Sequence, residues 1–440
     1  MKLKQLLLVA VLLVALLAAW ISAAAAASNK EAIAAQNNAL NLANQYAEKE
    51  LWVRAIPKYQ EALTYQTGME NRRTIEALLL DAYLSYGSID AYLELSQSRM
   101  DDGAAEEDEY IQMAEIYFAS GDLANGITAA KNGMAVYSSE KCRELYEAYR
   151  YTYSLKGTRM QTILPSKSGS YMPAFTGLGW TFVDDRGREL FGETVFEEVT
   201  NFNDTGYAAV RHEGVYYVIT SGGDRYSVDE TGLEAVCALG SRIYGQKNGV
   251  WSFYNADFAA TTEQVFEELT LADGGILAAK KDGKWGIIDE SGAVRISFQF
   301  EDAAVNSWGS AFAGGSGAFQ YDGKWYLVTT EGQKVFETAF AGMKAPECAD
   351  GYIAVANEDG KWGFADRTGN LVIDYQYDDA KSFSDHLAAV KQGDEWVYIS
   401  ESGAVVIDNV FYDAQPFHNG IATVVTPDSC GILTLKLPNA

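Results

Sequence analysis

The chain has 440 residues, 48% of them hydrophobic and 12% aromatic, which is enough for about three domains with apolar cores and excludes a disordered acidic protein. It carries 34 basic and 60 acidic side chains, a formal net charge of −26 at pH 7. Because affinity for phosphate backbones and anionic lipid headgroups comes from cationic residues, this charge argues against nucleic acid and lipid surfaces as partners.

The first segment of the chain predicts export from the cytoplasm. Lys2 and Lys4 precede a 22-residue apolar run, residues 6–27, which ends in a series of alanines typical of a cleavage site. A cleaved signal has about 7–15 apolar residues, whereas a helix needs about 20 to cross a bilayer. Residues 1–27 are therefore either a signal peptide or an N-terminal membrane anchor, and only this segment is expected to contact a membrane. The rest of the chain is predicted to be extracytoplasmic, either anchored or secreted after cleavage.

Residues 28–157 have the spacing of helical hairpins. Small and aromatic residues recur at intervals of three and four, and a tyrosine is followed by a glycine four positions later at Tyr83, Tyr117 and Tyr153. These tyrosines are 34 and 36 residues apart. A period of this length predicts a stack of similar helical units.

The segment AEIYFASGDLANGI, residues 114–127, resembles a tetratricopeptide repeat, in which two helices meet at a tight turn. The resemblance implies an α-solenoid of three degenerate helical pairs and a terminal helix, whose concave face binds protein or peptide partners. Gly126 and Gly133 depart from the repeat pattern, which prefers alanine at these positions.

The composition changes after the helical segment. Residues 158–172 contain Gly, Pro, Ser and Lys and are predicted to be a linker or a first closing strand. In residues 173–440 short alternating stretches lie between Gly, Asp and Asn turns, which is typical of an all-β domain.

One sequence motif occurs twice in similar form in this β domain, as KDGKWGIIDESGAV in residues 281–294 and EDGKWGFADRTGNLV in residues 358–372. Aligning on its tryptophan defines seven units and a partial eighth at Gly431. The anchors are Trp180, Tyr216, Trp251, Trp285, Trp325, Trp362 and Trp396. Seven positions after an anchor comes a glycine: Gly187, Gly223, Gly292, Gly332, Gly369 and Gly403.

A third recurring position is an aromatic residue 15 places after the anchor, as in Phe266, Phe300 and Phe411. The glycine follows turn-forming residues and predicts a hairpin that needs positive φ, and the aromatic is expected to begin a third strand. A strand of small residues then completes a unit of about four strands. Such a unit cannot bury its apolar face alone, so the anchors are predicted to be packing positions between stacked units.

The segments DGKWGIIDESG and DGKWGFADRTG resemble the core motif of the bacterial WG repeat, the KWG family, and the resemblance extends over residues 173–440. It implies a repeated β module, often paired with other repeats at bacterial cell envelopes. Five units replace the glycine after the anchor: Thr181, Tyr217, Ser252, Tyr326 and Val397. The fourth unit has an insertion, NSWGSAFAGGSGAF, which places Trp308 out of register.

The two ends of the β domain predict how the units stack. The partial unit at Gly431 has a first strand without the others, whereas residues 162–165 and 171–177 have the pattern of later strands without a first one. Joining them into one shared unit would close a propeller-like ring of eight and remove the exposed edges. An open β superhelix is the alternative.

The sequence contains little that points to catalysis, and no catalytic, cofactor-binding or metal-ligating residue is predicted. His212, His386 and His418 have no ligand spacing, and there is no GxSxG elbow, P-loop or dinucleotide fingerprint. Acidic pairs such as Glu267-Glu268 and Asp378-Asp379 recur at one repeat offset, which favours a structural role over glycoside hydrolysis. Four cysteines are far apart and are expected to be free, packed as small hydrophobic residues: Cys142, Cys237, Cys348 and Cys430.

The chain is therefore predicted to be a non-catalytic interaction or scaffold protein of the cell envelope, with protein or peptide partners on residues 28–157 and the β array as a binding platform. A glycan or cell-wall binding module is the first alternative, and an enzyme of unrecognised type is the second. Four aromatic residues that break the repeat pattern are the candidate ligand contacts and are expected to be exposed: Trp308, Tyr321, Tyr216 and Tyr217.

Overall fold

The computed structural model describes residues 29–65, 68–192, 194–228, 232–239, 242–255 and 260–437. The expected signal or anchor, residues 1–27, lies outside the described residues. Among the residues that are described, no helix is long and apolar enough to cross a membrane. The chain divides after Tyr149 into a helical unit and a β unit.

The helical unit contains seven helices within its described residues, which matches the expected three pairs and terminal helix. They are α1 (29–47), α2 (Trp52–Leu63), α3 (Met69–Tyr86), α4 (Ile89–Asp101), α5 (Glu107–Ser120), α6 (Leu123–Tyr137) and α7 (Glu140–Arg150). Helices that follow one another pack together, as α2 does with α3 and α5 with α6.

The turn between α5 and α6 follows from two adjacent residues. Gly121 ends α5 in the left-handed conformation with φ of 82°, which glycine adopts without steric cost. Asp122 then caps α6 by accepting a hydrogen bond from the Asn125 N–H at 3.2 Å. The predicted turn at this position is therefore confirmed.

The two glycines that depart from the repeat pattern have a packing reason. A Cβ atom at Gly126 would lie 2.5 Å from the Phe118 ring, and one at Gly133 would lie 2.4 Å from the Cys142 Sγ. Alanine at either position would collide with the neighbouring helix, so glycine allows the close approach.

A buried ionic cluster ties three of the helices together. Arg99 of α4 is 3% exposed and contacts Glu109 of α5 through Nε at 2.9 Å and Nη2 at 2.7 Å. Its Nη1 lies 3.2 Å from Glu76 of α3. Removing one partner of a buried ion pair costs about 3–5 kcal/mol, so this cluster fixes how α3, α4 and α5 pack.

The β unit contains thirty strands in eight antiparallel sheets within its described residues, numbered here in chain order. Sheet 1 contains β2 (Thr162–Ile163), β3 (Met172–Phe175) and β4 (Trp180–Val183); sheet 2 contains β5 (Glu198–Val199), β6 (Tyr207–His212), β7 (Val215–Thr220) and β8 (Arg225–Ser227). Sheet 3 contains β9 (Ala235–Leu239), β10 (Arg242–Lys247) and β11 (Val250–Tyr254); sheet 4 contains β12 (Glu268–Leu269), β13 (Ile276–Lys281), β14 (Lys284–Asp289) and β15 (Val294–Phe300).

Sheet 5 contains β16 (Asp302–Ala303), β17 (Phe312–Ala313), β18 (Ser316–Tyr321) and β19 (Lys324–Thr329); sheet 6 contains β20 (Gly342–Met343), β21 (Ile353–Ala356), β22 (Trp362–Ala365) and β23 (Leu371–Tyr377). Sheet 7 contains β24 (Asp379–Ala380), β25 (Leu387–Gln392), β26 (Glu395–Ser400) and β27 (Val405–Phe411). Sheet 8 contains β28 (Asp413–Ala414), β29 (Ile421–Val425), β30 (Cys430–Leu435) and, from the other end of the β unit, β1 (Tyr153–Gly157).

The pairing within a sheet explains the recurring aromatic residue. In sheet 4 the anchor Trp285 lies opposite Phe300, and in sheet 7 Trp396 lies opposite Phe411. The expectation that the aromatic begins a third strand is wrong, because Phe300 ends β15 and the chain then enters sheet 5. The aromatic residue lies at the end of the strand that follows the anchor strand, because the antiparallel register places it opposite the anchor, where the two large side chains pack together.

The glycine seven positions after the anchor lies in the turn that follows the anchor strand, as the hairpin prediction requires. In sheets 1 and 5 the chain returns along the anchor strand through isolated bridges, such as Val183 with Glu189 and Val328 with Lys334, rather than as a full strand. These glycines have φ between 70° and 94°: Gly187, Gly223, Gly292, Gly332, Gly369 and Gly403. In this left-handed region other residues are strained, which accounts for the recurrence.

The hydrophobic cores lie between the sheets. Eight clusters of buried side chains are present in the described residues, and each combines residues from two neighbouring sheets, including sheet 8 with sheet 1. Every anchor packs into one of these clusters: Trp180, Tyr216, Trp251, Trp285, Trp325, Trp362 and Trp396. The sheets therefore form a closed ring, and the open superhelix is excluded.

The ring closes through an antiparallel pair between β1 and β30, in which Tyr153 lies opposite Leu435 and Gly157 opposite Gly431. Residues 153–157 had the spacing of the helical segment, but they form a strand because the exposed edge of β30 offers unpaired backbone groups. Residues 158–172 contain β2 and the start of β3, which belong to sheet 1.

Removal of β1 should open the ring. We expect a fragment of residues 158–440 to unfold at a temperature several degrees below that of a fragment of residues 150–440, because β30 loses its partner strand. A loss of about 2 kcal/mol corresponds to roughly 4–8 °C for a domain of this size. Thermal unfolding followed by circular dichroism measures the difference, and equal midpoints would contradict closure by β1.

Candidate functional site

One cavity of about 510 Å³ collects residues from almost the whole ring. They lie on the segments that connect the first strand of a sheet to the strand that pairs with it, here called the inner loops. In sheet 5 this segment runs from β16 to β18 and includes β17. Seven of the eight sheets contribute to it: Lys167 from sheet 1, Asp204 from sheet 2, Asp273 from sheet 4, Trp308 from sheet 5, Glu347 from sheet 6, Asp385 from sheet 7 and His418 from sheet 8. Because loops from sheets all around the ring share this space, it lies on the axis of the ring and is called the axial cavity.

The inner loops converge because several of them end in the same tight turn. Two consecutive residues have positive φ in the pairs Gly274-Gly275, Gly314-Gly315 and Asn419-Gly420, as type I′ hairpin turns require. Gly, Asn and Asp favour this conformation. The turn aims the residue just before it, such as Asp273 or His418, at the axis.

Sheet 7 builds the same turn from less suitable residues. Asp385 has φ of 50° and His386 has φ of 62°, where the other turns have glycine at the second position. A bulky residue in the left-handed region is strained, and such strain is concentrated at functional sites. The His386 Nδ1 lies 3.0 Å from a Glu401 carboxylate oxygen, and this contact raises the pKa of His386 despite partial burial.

Trp308 lies across the axis rather than on the outer surface. It is 5% exposed, its carbonyl oxygen accepts a hydrogen bond from Asn201 of sheet 2 at 3.1 Å, and its ring meets the His418 ring edge-on at 4.8 Å. The expectation that Trp308 is exposed is wrong, because the insertion folds inward over the axial opening. Its contact with a ligand stays a prediction.

A buried polar network links sheets 5 to 8 at the same place. The Glu347 carboxylate accepts hydrogen bonds from the Ser307 N–H at 3.0 Å and the Ser307 hydroxyl at 2.7 Å, and it lies 3.3 Å from the His418 Nε2. The His418 Nδ1 is 3.2 Å from the Ser384 Oγ. Since Glu347 and His418 are both nearly inaccessible to solvent, these contacts hold the inner loops in one arrangement.

A second polar contact spans the cavity from sheet 1. The Lys167 ammonium lies 2.9 Å from Asp204 Oδ1, contacts Asp273 Oδ1, and is 6.0 Å from the centre of the Trp308 ring. Burial opposes the charge of Lys167, but the hydrogen bonds with Asp273 and Asp204 outweigh it and raise the pKa. Lys167 is therefore an ammonium ion at neutral pH.

The other candidate ligand contacts are not brought to this cavity. Tyr216 is buried, contrary to expectation, and its hydroxyl donates to Glu198 at 2.8 Å. Tyr217 is half-buried against the core between sheets 1 and 2, and Tyr321 is exposed at the end of β18. Whether any of these residues contacts a ligand stays a prediction.

The repeated acidic pairs have structural partners. Glu267 accepts a hydrogen bond from the Gly283 N–H at 3.2 Å, and Asp378 accepts one from the Gly393 N–H at 2.7 Å. These glycines lie in the turns between the second and third strands. The first acid of each pair therefore fixes a hairpin, as its recurrence indicated.

The sequence reasoning missed Lys167, Glu347 and Asp385, and it treated His418 as an ordinary turn residue. A signal was present in the repeat itself. Positions 22 residues after an anchor line the axial cavity in four units: Asp273, Glu347, Ser384 and His418.

A closed ring of eight antiparallel sheets around an axial cavity defines an eight-bladed β-propeller. The family model described as WG containing repeat matches residues 285–325, 362–396 and 398–426, so these segments of the propeller are similar to WG repeats. None of the curated proteins matches the chain.

The chain is similar in structure to several solved propellers. Kluyveromyces lactis Hsv2p has 11% identity, with 52% of this chain and 89% of that chain covered, and a TM-score of 0.34. A eukaryotic initiation factor has 12% identity, 61% and 82% coverage and a TM-score of 0.39. YCF48, in a complex with D1 peptide, has 13% identity, 64% and 95% coverage and a TM-score of 0.31.

Replacement of Trp308 should show whether the insertion is a packed part of the propeller. We expect Trp308→Ala to lower the free energy of unfolding of the β unit by about 3–5 kcal/mol, the usual cost of removing a buried tryptophan side chain. Trp308→Phe should cost clearly less, because it keeps an aromatic ring and the indole Nε1 has no hydrogen-bond partner among the described residues. Urea unfolding followed by circular dichroism measures both, and equal losses would contradict this packing role.

Proposed function

We propose that the chain is an extracytoplasmic, non-catalytic binding protein. In this proposal the helical unit holds a protein or peptide partner, and the propeller is a platform with a second binding face. The observation that carries it is a groove of about 890 Å³ in the helical unit, formed by α3, the loop after α4, and α6.

The lining of this groove suits a peptide with basic and apolar residues. Apolar surface comes from Ala77, Leu78 and Ala105, and carboxylates come from Glu70, Asp81 and Glu106. Arg73 and Arg99 also line the groove, but the Arg99 guanidinium is already paired with Glu76 and Glu109, so three carboxylates face one arginine outside that cluster. The unpaired charge of the lining is therefore mostly negative, and charge complementarity favours a basic partner.

The tetratricopeptide resemblance supports the same role. The helices occur as three pairs and a terminal helix, the α5–α6 turn has the expected Gly-Asp sequence, and small residues bring the helices together. Stacked helical hairpins bind partners in their grooves, because each hairpin contributes a side-chain row to one continuous surface.

Catalysis has less support than binding. The repeated acidic pairs hold hairpin turns, and Glu347, His418 and Lys167 of the axial cavity are engaged in contacts between the inner loops. Glycan binding also has less support, since stacking on a sugar needs exposed aromatic faces, and of the four candidate contacts only Tyr321 is exposed.

The partner site is tested by reversing charge in the groove. We expect the double variant Glu70→Lys, Asp81→Lys to lose proteins that the unaltered chain retains from an envelope extract, because a basic partner is repelled. Glu94→Lys is the matched control, since Glu94 is exposed on α4 and does not line the groove. Loss of the same proteins from both variants, or from neither, would reject the groove as the partner site.

The extracytoplasmic location is tested separately. Protease added to intact cells, or to cells with a permeabilised outer layer, should digest the chain while a cytoplasmic marker stays whole. Protection of the chain until the cytoplasmic membrane is lysed would show that it is not exported.

A further inference from the structure

The axial cavity has an excess of negative charge. Four carboxylates line it, from Asp204, Asp273, Glu347 and Asp385, whereas Lys167 is its one ammonium group among the described residues. A recess lined mainly by one sign of charge concentrates the electrostatic field and raises the local concentration of the opposite ion. The cavity therefore attracts cationic groups.

One edge of the cavity already binds a primary ammonium. Lys167 Nζ lies between Asp204 and Asp273, with the Trp308 ring centre 6.0 Å away. Two carboxylates beside an aromatic ring are a favourable environment for a cation. This contact within the chain shows which chemistry the wall of the cavity accommodates.

Another carboxylate of the cavity, that of Asp385, has an oxygen atom that is available to a ligand. Its Oδ2 accepts a hydrogen bond from the Gly420 N–H at 2.6 Å, while Oδ1 accepts none from the described residues. The strained turn at Asp385 and His386 keeps this side chain at the cavity, where sheets 4, 5 and 8 have Gly274, Gly314 and Asn419. A carboxylate held in this way can accept from an incoming donor.

The wall also contains a donor without an acceptor. Trp308 Nε1 is buried and makes no hydrogen bond within the described residues. Buried N–H groups are almost always paired in proteins, and an exception calls for an explanation such as a missing partner. A ligand with an oxygen acceptor next to its cationic group would supply one.

We infer that the axial cavity binds a primary ammonium group of a peptide, from a lysine side chain or a free amino terminus, with Asp385 as the main contact. A peptide carries both the ammonium and the neighbouring carbonyl oxygen. A compact ammonium suits carboxylates that lie on different loops, whereas the planar guanidinium of arginine suits bidentate pairing with one. The inference rests on the proposed function as a binding protein and adds a site outside the helical groove. The volume of about 510 Å³ lies within the range of about 300–1,000 Å³ usual for small-ligand sites.

Calorimetric titration of the full chain with short peptides tests this inference. The two probes are an alanine peptide with one lysine and blocked ends, and an alanine peptide with a free amino terminus. Each is compared with the same peptide after acetylation of its amine. We expect the amine forms to bind and the acetylated forms to lose at least about tenfold in affinity, because a charge-assisted hydrogen bond is lost.

Two variants of cavity residues and one control variant assign the binding to the cavity. Asp385→Asn should weaken the probes by about tenfold or more, since it removes the carboxylate charge. Asp394→Asn should bind as the unaltered chain does, because Asp394 is exposed in the turn between β25 and β26 of the same sheet and does not line the cavity. Lys167→Met should strengthen binding, because it removes the resident ammonium and leaves Asp204 and Asp273 for the probe.

Several results would overturn the inference. Equal binding of amine and acetylated probes, equal effects of Asp385→Asn and Asp394→Asn, or weaker binding by Lys167→Met would each do so. If Asp385→Asn unfolds, the Lys167→Met result decides. Absence of probe binding, together with loss of partners from the groove variant alone, would reject this site while the proposed function stands. Intact probe binding, together with equal retention of proteins by the groove variant and its Glu94→Lys control, would reject the helical groove alone.

Discussion

The antiparallel pair between β1 and β30 is the constraint on which the propeller depends. Without β1 the last sheet would end in an exposed strand, and the apolar cluster between sheets 8 and 1 would have to hold the two ends of the ring together without strand pairing. The inner loops meet on one axis because the ring is closed, so the axial cavity is a consequence of closure. A segment that follows the last helix directly thus determines whether a site can form far along the chain.

Two positions of the repeat have different roles, one in packing between sheets and one in lining the axial cavity. The anchor and the aromatic that faces it pack between sheets, as Trp285 and Phe300 do, and the anchor is Trp or Tyr in all seven units. The position 22 residues after the anchor faces the axis and carries Asp273 in one unit and His418 in another. Packing therefore limits the first position to large aromatics, while the second is limited only by the turn that follows it.

Much of this architecture could be predicted because its signals are local. A glycine with positive φ, as at Gly292, and an aromatic at a regular offset follow from turn chemistry and packing. The sequence pattern could not show which strand begins each sheet, because the same four-strand period results whichever of the four strands is counted first. The closing strand was also missed, since Tyr153 and Gly157 fit a helical spacing and only the edge of β30 turns them into a strand. The inward fold of Trp308 depends on contacts with Asn201 and His418, which no local pattern indicates.

The cavity shows how a ring of similar units can produce an asymmetric site. The inner-loop backbone is nearly the same in sheets 4, 7 and 8, so Asp273, Ser384 and His418 point toward one space although their side chains differ. One insertion, in sheet 5, then brings Trp308 across the axis and joins the loops on both sides. Since the backbone determines where these side chains lie, their identities can vary without loss of the fold. The charge and hydrogen-bonding capacity of the axial cavity can therefore be set residue by residue, which is the property that a binding platform needs.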